Sequence, residues 1–267
     1  MIACEKVQNH SYTLIAELPG GLASREQLSR LYHRYRTAAC YAQDKDVLEV
    51  GCGAGQGLGY LARRARSVVG GDYTDANLRH AQRYYNGRAR LVRLDAHRLP
   101  FPDGSFDLVV LFEAIYYLGH PEDFLQESRR VLRDGGMLLV STVNRDWVDF
   151  SPSLFSTRYF SAPDLAASLR RHFEVQLHGA YPVPAGSTRE NALSMLKRIA
   201  VALGLMPRTM KSKEIFKRLF LGKLAPIPAE VWDDMAEYVQ PAPIPAEVPD
   251  RRHKILYAIA RVCRGPN

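Results

Sequence analysis

The stretch VLEVGCGAGQGLG, Val47 to Gly59, decides how this chain is read. An apolar run, Val47 to Val50, leads directly into a turn that holds Gly51, Gly53 and Gly55. Glycine tolerates positive φ and carries no Cβ, so a strand ending in such a turn lets backbone approach a ligand closely. The spacing narrows the choice of ligand. A dinucleotide fingerprint needs Gly-x-Gly-x-x-Gly straight after the strand, but counting from Gly51 places Gln56 at the third glycine, and counting from Gly53 places Leu58 there. The pattern present is Gly-x-Gly-x-Gly behind an acid in the strand, Glu49.

Outward from this turn, β-rich runs alternate with helical patterns between Asp46 and Val143, which predicts strand-helix-strand units feeding a parallel sheet. The strands are Val47 to Val50, Ser67 to Gly71, Phe106 to Phe112 and Met137 to Thr142, with a weaker one at Arg90 to Leu94. Continuous apolar runs such as DLVVLF suit strands covered on both faces. Pro121 marks the start of one helix, and Asp134-Gly135-Gly136 follows its end. Ser161-x-x-Asp164 announces another, expected to end near His172, and Phe173 to His178 then reads as a sixth strand. The run Lys254 to Val262 is either a seventh strand or a short helix.

About 75 residues separate the sixth strand from that run, far beyond a hairpin loop, so the connection is an insertion with its own structure. Within it, Ser187-x-x-Glu190 resembles a capping box, Leu193 to Leu203 repeats apolar residues at helical spacing, and Ser212 to Leu221 reads as a second, basic helix. The QPAPIPAEVP stretch that follows is expected to be extended and exposed. The chain's net charge of +8 is concentrated here: Ser187 to Leu224 holds nine lysines and arginines against Glu190 and Glu214, a net +7. The organisation expected is a helical cap over 1–45, a core over 46–180, a basic helical insertion over 181–250 and a final strand in 251–267.

With 46% apolar and 24% charged residues, the composition excludes a disordered or collagenous chain. No apolar run reaches the roughly 20 residues of a bilayer span, and Met1 to His10 has no signal-peptide core, so a cytoplasmic location is expected. Cys4, Cys40, Cys52 and Cys263 are scattered, which indicates neither a disulfide framework nor a metal site.

Glu49 followed by Gly51, Gly53 and Gly55 resembles the first motif of class I S-adenosylmethionine-dependent methyltransferases, and the resemblance runs on in order over about 110 residues. It implies a Rossmann-like, seven-stranded, mostly parallel sheet with helices on both faces and a helical insertion between the last two strands. It also implies S-adenosyl-L-methionine as cofactor and S-adenosyl-L-homocysteine as product. Asp72, at the end of the second strand, would accept the ribose hydroxyls through charge-assisted hydrogen bonds. Cys52 in the turn and Tyr73 after Asp72 join the implied cofactor contacts. Asp95, with Ala96 beside it, would bind the adenine amino group. Phe112 either flanks the cofactor or sits in the core. Tyr32-His33-Arg34-Tyr35 is similar to a helix that many members place over the cofactor, and Arg34 would pair with the methionine carboxylate.

The family pattern breaks after the fourth strand. Many small-molecule members read Glu-x-x-Glu-His there, whereas this chain reads Glu113-Ala-Ile-Tyr116-Tyr117. Tyr117 can orient the methyl acceptor, and His120 is the nearest group with a suitable pKa for a general base, or else it caps the helix at Pro121. Tyr116, Tyr117, Asn144 and Tyr159 are the expected substrate contacts. The implied partner is a small-molecule acceptor, anionic or lipid-linked if the basic insertion acts as a lid with peripheral membrane contact; a plain solvated face is the competing reading. A nicotinamide-dependent oxidoreductase shares the sheet but not the glycine spacing. A nucleic-acid methyltransferase would use the basic segment, yet Phe112-Glu113-Ala114-Ile115 stands where base-amino methyltransferases carry Asn or Asp-Pro-Pro-Tyr, so no nucleic-acid partner is favoured.

Overall fold

The computed structural model describes residues 17–153, 156–183 and 224–263. Its elements, in chain order, are β1 (Leu22–Ser24), α1 (Arg25–Ala39), β2 (Asp46–Val50), α2 (Leu58–Ala62), β3 (Ser67–Asp72), α3 (Asp75–Tyr85), β4 (Arg90–Arg93), β5 (Phe106–Phe112), a one-turn 3-10 helix (Ile115–Tyr117), α4 (Pro121–Val131), β6 (Leu132–Val143), α5 (Ala162–Leu169), β7 (Glu174–Pro182), β8 (Leu224–Pro226), β9 (Ala242–Ile244) and β10 (His253–Arg261).

Eight strands form one sheet in the order β4-β3-β2-β5-β6-β10-β7-β9, and β1 pairs with β8 in a separate two-stranded ribbon. Strands β4, β3, β2, β5 and β6 run parallel. β10 is antiparallel to both β6 and β7, so β7 points the same way as the parallel set. Alternation along the central strands explains why both faces are covered. Leu48, Val50, Val109, Leu111, Leu138 and Val140 pack into one apolar layer, while Val47, Leu108, Val110 and Leu139 pack into the other, beneath α1 and α2. Each such side chain, fully buried, contributes roughly 1.5–3 kcal/mol.

Helix termini follow local rules. Ser24 caps α1 in a capping box with Gln27, and Ser161 caps α5 in a capping box with Asp164. α5 stops at Leu169, ahead of the expected end near His172. Pro121 occupies the first turn of α4, where its missing amide is harmless.

The sheet has eight strands, not seven. The added strand, β9, lies in the proline-rich stretch expected to be exposed; Ala242–Ile244 pairs with Leu177–Gly179 of β7, and Ile244 and Ala246 are buried in the core. Pro243 is tolerated because β9 is the edge strand, where a missing amide costs no ladder bond on the open side. The run Lys254 to Val262 resolves as strand β10. The two helices expected between Ser187 and Leu221 lie outside the described residues.

The topology places the site. β2 connects to β3 on one side and β4 returns to β5 on the other, so the strand order reverses between β2 and β5, the position where open α/β sheets bind ligands outside the carboxyl ends of their strands. β7 also ends on that edge, at Pro182.

Candidate active site

Gly51, Gly53 and Gly55 all have positive φ, at 70°, 58° and 81°, which no L side chain adopts without strain. Space separates their roles. A Cβ on Gly55 would lie 3.0 Å from that of Ala81 on α3, whereas one on Gly53 would meet nothing within 4 Å, so Gly53 faces open room at the turn. Tyr85 braces the turn from α3: its hydroxyl donates to the Gly55 carbonyl (2.8 Å) and accepts from the Gly59 amide (2.9 Å). Cys52 sits buried in the turn. Its amide donates to the Gly71 carbonyl (3.0 Å) and its thiol packs with Leu58, Ala81 and Tyr85.

Asp72 sits at the tip of β3, 7% exposed. One carboxylate oxygen accepts from the Gly53 amide (2.8 Å), the other from the Thr74 amide (2.8 Å) and the Asn77 side chain (3.3 Å). Burial raises its pKa against these donors. A carboxylate offers about four acceptor positions, so a hydroxyl can still be received. Tyr73 is 49% exposed, under the Arg93 guanidinium. Asp95 is exposed and accepts from the amide (2.9 Å) and ring (2.7 Å) of His97. Ala96 is half-buried against the core.

α1 closes over the turn. Tyr35 donates to Glu49 Oε1 at 2.6 Å, and a Cβ on Gly57 would stand 1.8 Å from the Tyr35 ring, so glycine is what allows the helix this close. Glu49 is 1% exposed and burial pushes its pKa up to about 7. Its second oxygen has no partner among the described residues, and neither has Nε of the buried Arg34. The Arg34 guanidinium donates to Glu17 and also lies in the field of Glu113. Phe112, 7% exposed, meets Tyr35 edge to face at 5.5 Å, the packing its core alternative expects.

On the acceptor side, Glu113 at the end of β5 has φ +50°, a left-handed conformation uncommon outside glycine and found where function over-determines the backbone. Burial raises its pKa, and its oxygens receive only long bonds, from Tyr116 (3.3 Å) and Ser141 (3.4 Å). Tyr116 stacks on Tyr159 (5.0 Å between centroids) and meets Tyr117 edge to face (4.5 Å), while Phe150 packs against Tyr159 (4.7 Å). Thr157 ties this loop to the 3-10 helix through the Tyr116 carbonyl (2.8 Å). Burial pushes the Tyr117 phenol up to about 12, so it stays a proton donor.

Two expected residues fall elsewhere. Asn144 is fully buried and donates to the carbonyls of Asp250 and His253 while accepting from the Asp146 amide, so it ties β6 to the start of β10 and is not a substrate contact. His120 is exposed, makes no side-chain cap bond, and gives its amide to His97 (3.3 Å), its ring 6.2 Å from that of His97; the described contacts put it beside Asp95, not in the tyrosine cluster. Sequence reading placed Tyr35 on the helix over the turn without its bond to Glu49, and missed Tyr85, Gly57 and the Glu17 partner of Arg34. Gly57, in the quoted stretch, was the one available pointer.

The sheet order and the glycine turn with its strand-end carboxylate define a Rossmann-like α/β fold. Residues 48–140 match the family model described as "Methyltransferase domain". Over 163 residues the chain is 40% identical to a protein of Mycolicibacterium smegmatis named as a probable S-adenosylmethionine-dependent methyltransferase, covering 55% of this chain and 60% of that protein. Over 125 residues it is 38% identical to a fatty-acid O-methyltransferase of the same species, covering 44% and 45% of the two chains. The chain thus spans between about half and three-fifths of these relatives' length. A solved SAM-dependent methyltransferase of Thermotoga maritima superposes with a TM-score of 0.55 at 16% identity, covering 88% of this chain and 89% of that one, a likeness of fold. Residues 48–140 thus match a methyltransferase-domain family, whose relatives named here use S-adenosyl-L-methionine as cofactor. The site suits S-adenosyl-L-methionine: a buried carboxylate oxygen and a buried guanidinium nitrogen without partners among the described residues match an ammonium and a carboxylate, and the open side of Gly53 leaves room beside Asp72.

Proposed function

We propose that the protein methylates an oxygen atom of an apolar, lipid-like small molecule. The observation that carries the reading is the juxtaposition, at the strand-order reversal, of the glycine turn and Asp72 with the tyrosine wall of Tyr116, Tyr117 and Tyr159. Bound S-adenosylmethionine supplies a methyl group already activated by its sulfonium. What the chain must add is alignment, which is worth roughly 7–11 kcal/mol in favourable cases. Asp72 would take the ribose hydroxyls, Asp95 the adenine amino group and Arg34 the carboxylate. The stacked tyrosines give an apolar wall whose protonated Tyr117 can donate to the acceptor oxygen. A free carboxylic acid would arrive ionised and need no base, which agrees with the absence of the family's histidine at position 117. The relative named as a fatty-acid O-methyltransferase supports this acceptor class.

The test is transfer of labelled methyl from S-adenosylmethionine to a panel of fatty acids, hydroxylated lipids and polar phenols. Methyl esters or ethers of the lipids are expected. Transfer confined to polar acceptors, by folded protein that binds the cofactor, rejects the lipid assignment.

A further inference from the structure

Arg34 and Glu17 form an ion pair whose placement has a consequence for ligand binding. Arg34, on the buried face of α1, lies in the fields of Glu17 and Glu113. A buried guanidinium needs an anionic partner. The guanidinium bonds directly to the Glu17 carboxylate, which supplies that counter-charge. That carboxylate stands on the solvent side of the pair, its side chain 38% exposed against 11% for Arg34. Glu17 is also fastened to the glycine turn, since the buried side chain of Gln56 donates to its backbone carbonyl. The same residue therefore bridges the guanidinium and the turn, the two elements a ligand would have to span.

We propose that Glu17 is a built-in stand-in for the α-carboxylate of the cofactor, holding Arg34 until a ligand's carboxylate takes its place and releases the Glu17 side chain. The exchange is one carboxylate for another, so the buried charge stays balanced throughout. It rests on the methyltransferase reading and adds to it a competitor encoded in the chain.

Calorimetry with S-adenosylhomocysteine and with 5′-methylthioadenosine, which shares the nucleoside and lacks the amino-acid end, tests it in the full chain. Glu17→Gln is expected to tighten S-adenosylhomocysteine binding by roughly three- to tenfold, the scale of a partly buried ion pair, and to leave methylthioadenosine within about twofold. Adding Arg34→Ala should erase that gain. An unchanged or weakened S-adenosylhomocysteine affinity in folded Glu17→Gln, or an equal gain for both ligands, overturns the proposal. Failure of the folded unsubstituted chain to bind either ligand overturns the methyltransferase reading itself, a separate result.

Discussion

The two edges of the sheet use the same residue types to opposite effect. At the amino ends of the strands, Asp46 accepts from Arg66, Ser67 and Arg133, and Asp107 accepts from the Asp46 amide and pairs with Arg133. Hydrogen bonds from Arg66 hold Asp46 well below the usual carboxylate range, and Asp107 is lowered too, its donors outweighing burial. On the same edge, Arg130 places five hydrogen bonds on Glu127, Asp103 and the carbonyls of Leu99 and Phe101. At the carboxyl ends, Asp72, Glu49 and Glu113 are raised by burial, and Glu49 and Arg34 keep atoms with no partner among the described residues. One edge satisfies its charges internally and so serves stability. The other leaves capacity that a charged ligand can fill.

The comparison breaks first at Asp72. Asp72→Ala should lower S-adenosylhomocysteine affinity by roughly a hundredfold, the value of about two charge-assisted hydrogen bonds, read by calorimetry; undiminished binding would mean that the raised carboxylates are not a ligand site. The converse substitution, Arg130→Ala, should cost about 2–3 kcal/mol in denaturant unfolding, because it leaves two carbonyls and two carboxylates without their shared donor. Its effect on cofactor affinity should stay within about threefold; a larger loss would show that the edges are coupled.

Glu49 sharpens the contrast through pH. Its proton is held up to about pH 7, and only the carboxylate attracts a ligand ammonium, so affinity should rise about five- to tenfold from pH 6 to pH 8 and be flat in Glu49→Gln. For the ligand-free fold the sign is reversed: the native state holds a proton that the unfolded chain releases near 4.5, so this residue's contribution to stability declines as pH rises between the two values.

The smallest effect belongs to His33, away from both edges. It is buried among Tyr181, Tyr238 and Tyr257, with Val239's carbonyl 2.7 Å from Nε2 and the Tyr257 hydroxyl 2.9 Å from Nδ1. Burial lowers its pKa from the ordinary 6.5, so the unfolded chain binds the proton first, and stability should fall as pH drops below about 6.5. Thermal unfolding across that range should show a shallower acid slope in His33→Gln; an identical slope would mean that His33 does not titrate there.

Much of the site was legible before the structure because it is local. Gly51, Gly53 and Gly55 announce left-handed backbone by residue type alone, and Asp72 follows a β-rich run of period and length that only a strand fits. Asn144 misled for the opposite reason. It stands where the chain leaves a strand at the ligand-binding edge, but its partner Asp250 is 106 residues away in sequence. β9 was missed because a proline-rich stretch resembles exposed chain until an open strand edge is there to receive it.

By itself the sequence determined backbone conformations and strand directions: the φ signs of the glycine turn, the capping box of α5, and the alternation that covers the sheet on both faces. These depend on neighbours within one turn or one pleat. Only the tertiary structure decided which ionisable groups are satisfied and which are left open, that Tyr35 holds Glu49 and that Glu17 holds Arg34. Those choices follow from burial and from long-range pairing, which no local run of residues can encode.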